Sequence, residues 1–553
     1  MTARPESRGS TTADGAPHGR FGLKLFDSAQ MRAADAAAIA SGISGGTLMA
    51  AAGAAVAARL TDLFPACTHV MVLCGRGNNG GDGYVAARLL GLAGLDVQVL
   101  ELAQPTTVDA SAARGALIET GSLPAPLTPV SLATWLDDPA RTRPVAGADD
   151  TAVHRRVIVD AILGCGLDRA VEGALAEVVD RVNASGLPVL AVDVPTGVAA
   201  DMPVPPGPHV RATATIQLAG PKLASAFQPA RAAYATSGSP ELDVADIGIP
   251  AAVLDALSDV TLLTSETCRP WLPRRDPWAH KYSAGTVTVV AGSAAYAGAA
   301  ELACRGAWRG GAGLVTLAGN HRHPGAWPET VYRPLEDEWP PEGLDSKAAA
   351  ACVIGPGLAE ESLAVVPRVL SWAPGPVVID ASALSPAVLW PALEAQRAAT
   401  GTPRVVLTPH AGEAARLLDT TVAEVNARPL RAAARLSERS GAIVVLKGPT
   451  SVIAAPDGRL AVSTRGHPGM ASGGTGDVLA GLIGALTAAR DGSVAPPTGQ
   501  GVEGRGDTFE RACLAVFVHG IAGERAAQAH GNSLLASDLV DQVAGVLVDL
   551  ADG

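Results

Sequence analysis

Charge and aromatic side chains are both scarce in this chain: charged residues fill 17% of its 553 positions and aromatic residues 3%, against 48% hydrophobic. That much apolar material excludes a largely disordered protein. The length exceeds what one compact core serves, so two or more domains are expected. Long apolar runs are missing as well. The longest helical one, VLAGLIGALTAA, is bracketed by Asp477 and Arg490 and falls short of the roughly 20 residues a membrane span needs. A soluble protein without a membrane partner is expected. Basic excess is absent too. A net charge of −12 argues against a nucleic-acid partner, because such a binder needs a basic surface to displace phosphate counterions. Nucleotide ligands stay open, since helix N-termini bind phosphate without a basic patch. The seven cysteines contain no C-x-x-C pair, and an odd, scattered set points to reduced thiols and a cytoplasmic location. The opening MTARPESRGSTTADGAPHGR has no apolar segment of the signal-peptide kind and is expected to be a disordered tail over residues 1–20.

What is present is alternation. From about Phe21 the helix-like AQMRAADAAAIA and YVAARLLGLA flank the strand-like HVMVLC, and VQVLEL, RVIVDAIL, PVLAVDVP and ATIQLAG follow with the helical LAEVVDRVNAS among them. Continuous β-branched runs between helices predict an α/β fold with a mainly parallel sheet covered on both faces. This half closes near Asp246. A second series, GTVTVVAGS, GLVTLAG, ACVIGPG, GPVVIDAS, RVVLTPH and AIVVLKGPTSVIAA, repeats the pattern beyond a boundary near residues 250–265. Gly and Pro make DGSVAPPTGQGVEGRGDT, 491–508, a flexible surface loop. A homo-oligomer is expected, with the apolar AADAAAIA and MAAAGAAVAARL available for packing between subunits or within the core. Parallel sheets place ligands at the carboxyl ends of their strands, which is where the motifs lie.

In the first half, CGRGNNGGDGYVAARLL fits the G-x-G-x-x-G spacing of a dinucleotide-binding loop, with Glu101 about 20 residues on as a ribose ligand. That reading leaves Asn78, Asn79 and Asp82 incidental and sets a carboxylate near phosphates. A second reading uses them. Asn79, Asp160 and Thr196 offer hard oxygen ligands, a set that suits a hard, monovalent cation. Asp193, at the end of LAVDVP, can serve as general acid/base if burial moves its pKa toward neutrality. A strand-end aspartate often merely caps the next turn, and loop glycines often only supply positive φ; three such motifs together weigh against that.

GRGNNGGDGYVAARLL, VDAILGCGL and DVPTG resemble the NAD(P)HX epimerase family, a Rossmann-like fold, over residues 21–250. The resemblance implies interconversion of the R and S epimers of NADHX and NADPHX, the hydrated nicotinamide cofactors. It implies substrate contacts at Asn78, Asn79, Gly80, Gly81 and Asp82, and at Gly164, Cys165, Gly166, Leu167, Asp168, Arg169 and Ala170. It further implies potassium at Asn79, Asp160 and Thr196, and Asp193 facing the reacting ring. Thr196 stands where the family commonly has serine.

In the second half, GHPGMASGGTGDVLAGLIGAL places Gly473, Gly474, Thr475 and Gly476 just ahead of a helix. Their backbone amides form an anion hole at the positive helix end. Asp477 stands where a carboxylate can accept the proton of an attacking hydroxyl. Lys447, Gly448, Pro449, Thr450 and Ser451 form a turn suited to nucleotide phosphates, and no Walker-type GxxxxGK[ST] occurs. Taken alone, Lys447 would be a surface charge and Asp477 a favourable first-turn acid.

HKYSAGTVTVVAGS, VIGPGL, LTPHAGEAARLL, KGPTS and GMASGGTGDVLAG resemble the ADP-dependent NAD(P)HX dehydratase family, ribokinase-like in fold, over 262–553. The resemblance implies substrate contacts at Ala299, Gly357, His410 and Asp477, and nucleotide contacts at Lys447 to Ser451 and Gly476. ADP, accompanied by Mg2+, is then the phosphoryl donor and AMP a product. His467 stands where the family often has asparagine. Ser382 stands where it often has a second acid, so Asp380 receives no catalytic role here. Two other readings remain: a ribokinase-type small-molecule kinase fused to a nucleotide-binding domain, and a binding protein whose first half recognises a partner.

Overall fold

The computed structural model describes residues 24–138, 155–235, 242–275, 277–335, 338–346, 349–400, 404–490 and 506–552. The expected tail, and residues 491–505 of the expected loop, lie outside the described residues. Runs of β-branched residues flanked by helices become two sheets. The first holds β1 (His69–Cys74), β2 (Asp96–Glu101), β3 (Ala125–Pro126), β4 (Arg156–Ala161), β5 (Val189–Val192), β6 (Ala214–Leu218) and β7 (Val244–Ala245). Its order is β3-β2-β1-β4-β5-β6-β7, with every pair parallel. The order reverses between β1 and β4, and a crevice opens there at the carboxyl ends.

The second sheet holds β8 (Val260–Leu262), β9 (Thr286–Val290), β10 (Leu314–Gly319), β11 (Val331–Pro334), β12 (Ala351–Ile354), β13 (Val377–Ile379), β14 (Val405–Leu407), β15 (Ile443–Leu446), β16 (Ser451–Ala454) and β17 (Leu460–Ser463). Its order is β11-β10-β9-β12-β13-β14-β15-β16-β17-β8. It is parallel except where KGPTS closes β15 and β16 into an antiparallel hairpin and β17 follows β16 antiparallel. The α/β class with mainly parallel sheets is as the alternation predicts. Val70, Val72, Val157, Val159, Val289 and Val353 are all fully buried; both faces of each sheet are covered, so the strands show no polar alternation.

Small residues set the depth of the second site. The helix Ala297–Arg309 packs along the helix Thr475–Ala488. A Cβ on Gly306 would stand 2.2 Å from the Val478 carbonyl oxygen, and one on Gly481 would stand 1.9 Å from that of Ala303. Only glycine permits that approach. It seats the first turn of the Thr475 helix over the strand ends.

The two halves share a seam. Leu25 N donates to Val260 O and Phe26 N to Pro221 O, each at 2.9 Å. Leu25, Ala226 and Phe227 belong to the second half's core, whereas Phe26 belongs to the first's. Among the described residues, no helix is long and apolar enough to cross a membrane.

Gly481→Ala tests the close approach. Helix propensity favours alanine by about 1 kcal/mol, but overpacking against a backbone that cannot rotate away costs about 1–3 kcal/mol. The melting temperature should fall. A value at or above wild type would show that the two helices separate without cost.

Candidate active sites

In the first crevice the loop after β1 leads into the helix Asn78–Leu92, capped by Gly77 with no side-chain hydrogen bond. A Cβ on Gly80 would meet the Gly75 carbonyl oxygen at 2.0 Å, so this glycine serves a tight fold of the loop upon itself. The fold sets Asn79 against Gly164, whose Cβ position is 3.1 Å from the Asn79 amide carbon. Asp160, at the end of β4, is fully buried. Its Oδ1 accepts the Thr196 hydroxyl at 2.7 Å and its Oδ2 accepts the Thr196 amide at 2.8 Å. Burial pushes its pKa up to about 6, against the hydrogen bonds from Thr196 and Ile162. No ion pair reaches Asp160 among the described residues. Asn79 Nδ2 is buried without a partner, and an asparagine amide offers an oxygen as readily as a nitrogen. A buried, uncompensated carboxylate beside hydroxyl and amide oxygens fits a hard monovalent cation.

Asp193, directly after β5, has φ 66°, a left-handed geometry that is strained for a non-glycine residue. Its amide donates to Ile216 O at 2.8 Å, which holds it there. Its Oδ1 accepts Leu218 N at 3.1 Å and pairs with the Lys222 ammonium; its Oδ2 lies 3.0 Å from the Cys165 thiol. Lys222 is 1% exposed and also donates to Leu218 O at 2.7 Å and Gly220 O at 2.9 Å. Burial pulls its pKa down, but Asp193, Cys165 and Asp35 pull harder upward, so it stays an ammonium. Burial raises Asp35 and Asp82, and the Asp193 charge adds to both shifts. The Tyr234 hydroxyl is buried without a hydrogen-bond partner, and burial pushes its pKa up, with Cys165 and Asp193 adding to the shift. Of the expected loop 164–170, Cys165 reaches Asp193, while Gly166, Asp168 and Arg169 are exposed. Glu101 accepts from Arg114 at 2.7 and 2.8 Å and from Tyr84 at 2.9 Å. That engagement removes it as the ribose ligand of a dehydrogenase.

In the second crevice β13, β14 and β15 end at Asp380, His410 and Lys447. Lys447 Nζ is 2.7 Å from Asp380 Oδ1, which also accepts the Thr408 hydroxyl at 2.8 Å. Lys447 is no surface charge. Burial pulls its pKa down, yet Asp380, Glu413 and Asp477 raise it. Asp477, in the first turn of the Thr475 helix, has no hydrogen bond or ion pair among the described residues. Burial pushes its pKa up to about 7; the Asp380 charge adds to this and Lys447 opposes it. A Cβ on Gly476 would stand 3.3 Å from Lys447 Nζ. Gly474 caps the helix at φ 95° without a side-chain hydrogen bond, so the first-turn amides receive no side-chain cap. Gly473 is exposed.

His410 caps the helix Ala411–Leu418: its Nδ1 accepts from Gly412 N at 3.0 Å, and its own amide donates to Glu413 Oε2 at 2.9 Å. Nε2 then carries the ring hydrogen on a side chain that is 58% exposed. Gly357, at φ 60°, lies against Ala299, with 2.9 Å between their Cβ positions. The two expected contacts therefore adjoin. Within the KGPTS turn, Gly448 and Pro449 are exposed, Ser451 opens β16, and the Thr450 hydroxyl is buried, donating to Ala226 O at 2.6 Å. His467 caps the short turn Pro468–Met470. The Ser382 hydroxyl donates to Gly355 O and Leu358 O.

Sequence reasoning missed Lys222, Asp35 and Tyr234 in the first crevice, and Glu413 in the second. For Lys222 a signal existed, a lone ammonium within the apolar ATIQLAGPKLASAF. Asp380 was visible at its strand end and was set aside because Ser382 broke the pattern. The structure brings it to Lys447.

A family model described as NAD(P)H-hydrate dehydratase matches residues 287–544, and one described as YjeF-related protein N-terminus matches residues 45–224. Relatives called bifunctional NAD(P)H-hydrate repair enzyme include that of Moorella thermoacetica, 35% identical over 88% of each chain. That of Thermanaerovibrio acidaminovorans is 35% identical over 96% of this chain and 99% of its own. That of Escherichia coli is 32% identical over 89% and 87%. An ADP/ATP-dependent NAD(P)H-hydrate dehydratase from Bacillus subtilis, co-crystallized with ATP/Mg2+, is 30% identical over 52% of this chain and 97% of its own, with a TM-score of 0.41. With such identity across nearly its full length, this chain belongs to the family of bifunctional NAD(P)H-hydrate repair enzymes.

Proposed function

We propose that this protein restores hydrated nicotinamide cofactors in two steps. The first half, residues 21–250, epimerises R- and S-NAD(P)HX. The second, residues 262–553, dehydrates the S epimer with a nucleoside diphosphate, giving NAD(P)H, AMP and phosphate. The observation that carries this reading is Asp477: a half-buried carboxylate without a side-chain partner among the described residues, pushed by desolvation to about 7, at the uncapped start of a helix and close to Lys447.

The chemistry follows from these groups. The substrate hydroxyl at C6 is a poor leaving group. Asp477 takes its proton, and the oxygen attacks the terminal phosphorus of ADP. Amides of Gly473, Gly474, Thr475 and Gly476, with Lys447, stabilise the charge that develops. AMP departs, and phosphate then leaves C6 as a proton leaves C5. The turn at Lys447, Gly448, Pro449 and Ser451 carries the nucleotide, and the exposed Nε2–H of His410 meets substrate beside Ala299 and Gly357. The described residues hold no cluster of three His, Cys, Asp or Glu side chains placed to hold a metal ion. Mg2+ would accordingly arrive with the nucleotide phosphates, as that ion commonly does.

Epimerisation needs the C6–O bond broken and remade. C6 is bonded to the ring nitrogen, so a protonated hydroxyl leaves readily and water returns to either face. The Asp193–Lys222 pair supplies and recovers that proton beside Asp35 and Asp82. Asn79, Asp160 and Thr196 would hold potassium, whose charge would compensate Asp160 and order the loop. All seven cysteines are free thiols, which supports a cytoplasmic setting.

Asp477→Asn should lower dehydration by about 10²–10⁴-fold while R and S epimers still equilibrate; Asp193→Asn should do the reverse. Full dehydratase activity in the first variant, or unchanged R-epimer consumption in the second, would remove the assigned role. Because a base must be ionised, wild-type kcat for dehydration should rise with pH through about 7. A pKa raised by folding contributes stability that is present at low pH and lost as pH rises through the folded value. Asp477→Asn should therefore melt above wild type at pH 8 and show no such gain at pH 4. Finally, replacing potassium by tetramethylammonium should slow epimerisation and leave S-epimer dehydration unchanged; equal rates in both salts would exclude the cation site.

A further inference from the structure

The helix Thr508–His530 runs behind the segment that precedes Asp477, and one of its faces touches that segment repeatedly. A Cβ on Gly520 would stand 2.7 Å from the Arg465 carbonyl oxygen, and one on Gly523 would stand 2.1 Å from Met470 Sδ. Glu524 Oε1 accepts the Gly466 amide at 2.9 Å. His519, on the same face, is buried and places Nε2 2.9 Å from the Thr475 carbonyl oxygen. A carbonyl only accepts, so Nε2 carries the hydrogen. The Thr475 hydroxyl turns the same way, donating to Met470 O at 3.0 Å. Thr475 is thus held from behind through both its side chain and its carbonyl.

We infer that His519 is a positioning residue of the phosphoryl-transfer site, fixing the Gly476 amide through the Thr475 carbonyl; this rests on the dehydratase reading. The peptide joining Thr475 to Gly476 is planar, with C=O and N–H on opposite sides. A donor that locks the carbonyl therefore locks the amide. That amide lies in the first helical turn, where no carbonyl four residues earlier is available, and Lys447 Nζ stands close to Gly476. A hydrogen bond on the carbonyl also polarises the peptide and strengthens its N–H as a donor. Burial pushes the His519 pKa down to about 4, with Lys447 adding to the shift and the Thr475 carbonyl opposing it. The ring is a neutral donor at working pH and brings no net charge of its own.

The test uses the full chain and three substitutions. Gln carries an amide nitrogen to about the place of Nε2. Asn is equally polar but stops short of Thr475, and Leu donates nothing. His519→Leu and His519→Asn should lose about 10–100-fold in dehydration kcat, somewhat less than deleting an anion-hole donor outright. KM for S-NADHX and for ADP should move by no more than about twofold, as expected for an interaction made only in the transition state. His519→Gln should recover most of kcat. Epimerisation, measured on the same molecules, should be unchanged in all three and reports that the first half is intact, while the retained KM for ADP reports the same of the second. Equal rates for Asn and Gln, wild-type kcat in the Leu variant, or a loss confined to KM would overturn the inference. If the Leu variant fails to fold, the comparison of Asn with Gln still decides. A wild-type protein that makes no NADH from S-NADHX and ADP would defeat the dehydratase reading itself, and this inference with it.

Discussion

An ammonium held by a strand-end aspartate organises each half of this molecule: the fully buried Lys222 on Asp193 in the first, the half-buried Lys447 on Asp380 in the second. Removing such charges from water is expensive, and one pair is rarely a net gain over a well-packed apolar substitute. Breaking a pair is worse, since it strands a charge, at about 3–5 kcal/mol. Each pair therefore fixes the strands that carry it. Lys222 must also satisfy Leu218 O and Gly220 O, which turns the chain after β6 back over the crevice. Lys447 must lie beside Pro409, whose carbonyl accepts its amide, which draws the ends of β14 and β15 together.

The two pairs differ in what they leave over. Asp193 is saturated by an ammonium, an amide and a thiol, so in the proposed epimerisation the proton would belong to the pair. In the second half Asp380 takes the ammonium, and Asp477 is left without a partner. Its half-buried carboxylate then sits between its two protonation states near neutral pH, which suits the proposed role of accepting a proton and later releasing it. Asp380 thus acts on Asp477 as well as on Lys447: its charge adds to the rise that burial imposes on Asp477, and Lys447 opposes it.

The sheets were legible because buried parallel strands read as continuous β-branched runs, and the crevices because polar residues cluster where those runs stop. Asn79, Asp160 and Thr196 share a crevice, as their motifs suggest, and so do Lys447, Gly476 and Asp477. The partners were less legible. Lys222 and Asp35 come from segments with no spacing relation to DVPTG, and only the folded chain brings them to Asp193. Thr450 shows the opposite difficulty. Its place in KGPTS suggests a phosphate ligand, yet its hydroxyl is taken by Ala226 O of the other half, a contact that no local pattern encodes.

That contact bears on why the halves travel as one chain. Lys222 caps the short helix Leu223–Ala226, and the carbonyl that closes this helix receives Thr450 from the nucleotide turn. A little further on, Arg231 donates to Thr464 O at 3.0 Å, just ahead of the segment leading to Asp477. The stretch from Lys222 to Arg231 thus begins at the Asp193–Lys222 pair of one half and reaches both the KGPTS turn and the segment before Asp477 in the other. Leu25, Ala226 and Phe227 bury apolar surface in the second core, so the seam is part of that core and not a linker between finished domains. A cut through it would expose this surface and strand the Thr450 hydroxyl at the edge of the nucleotide turn. The first half thus contributes side chains to the second core and the acceptor that engages Thr450 in the KGPTS turn.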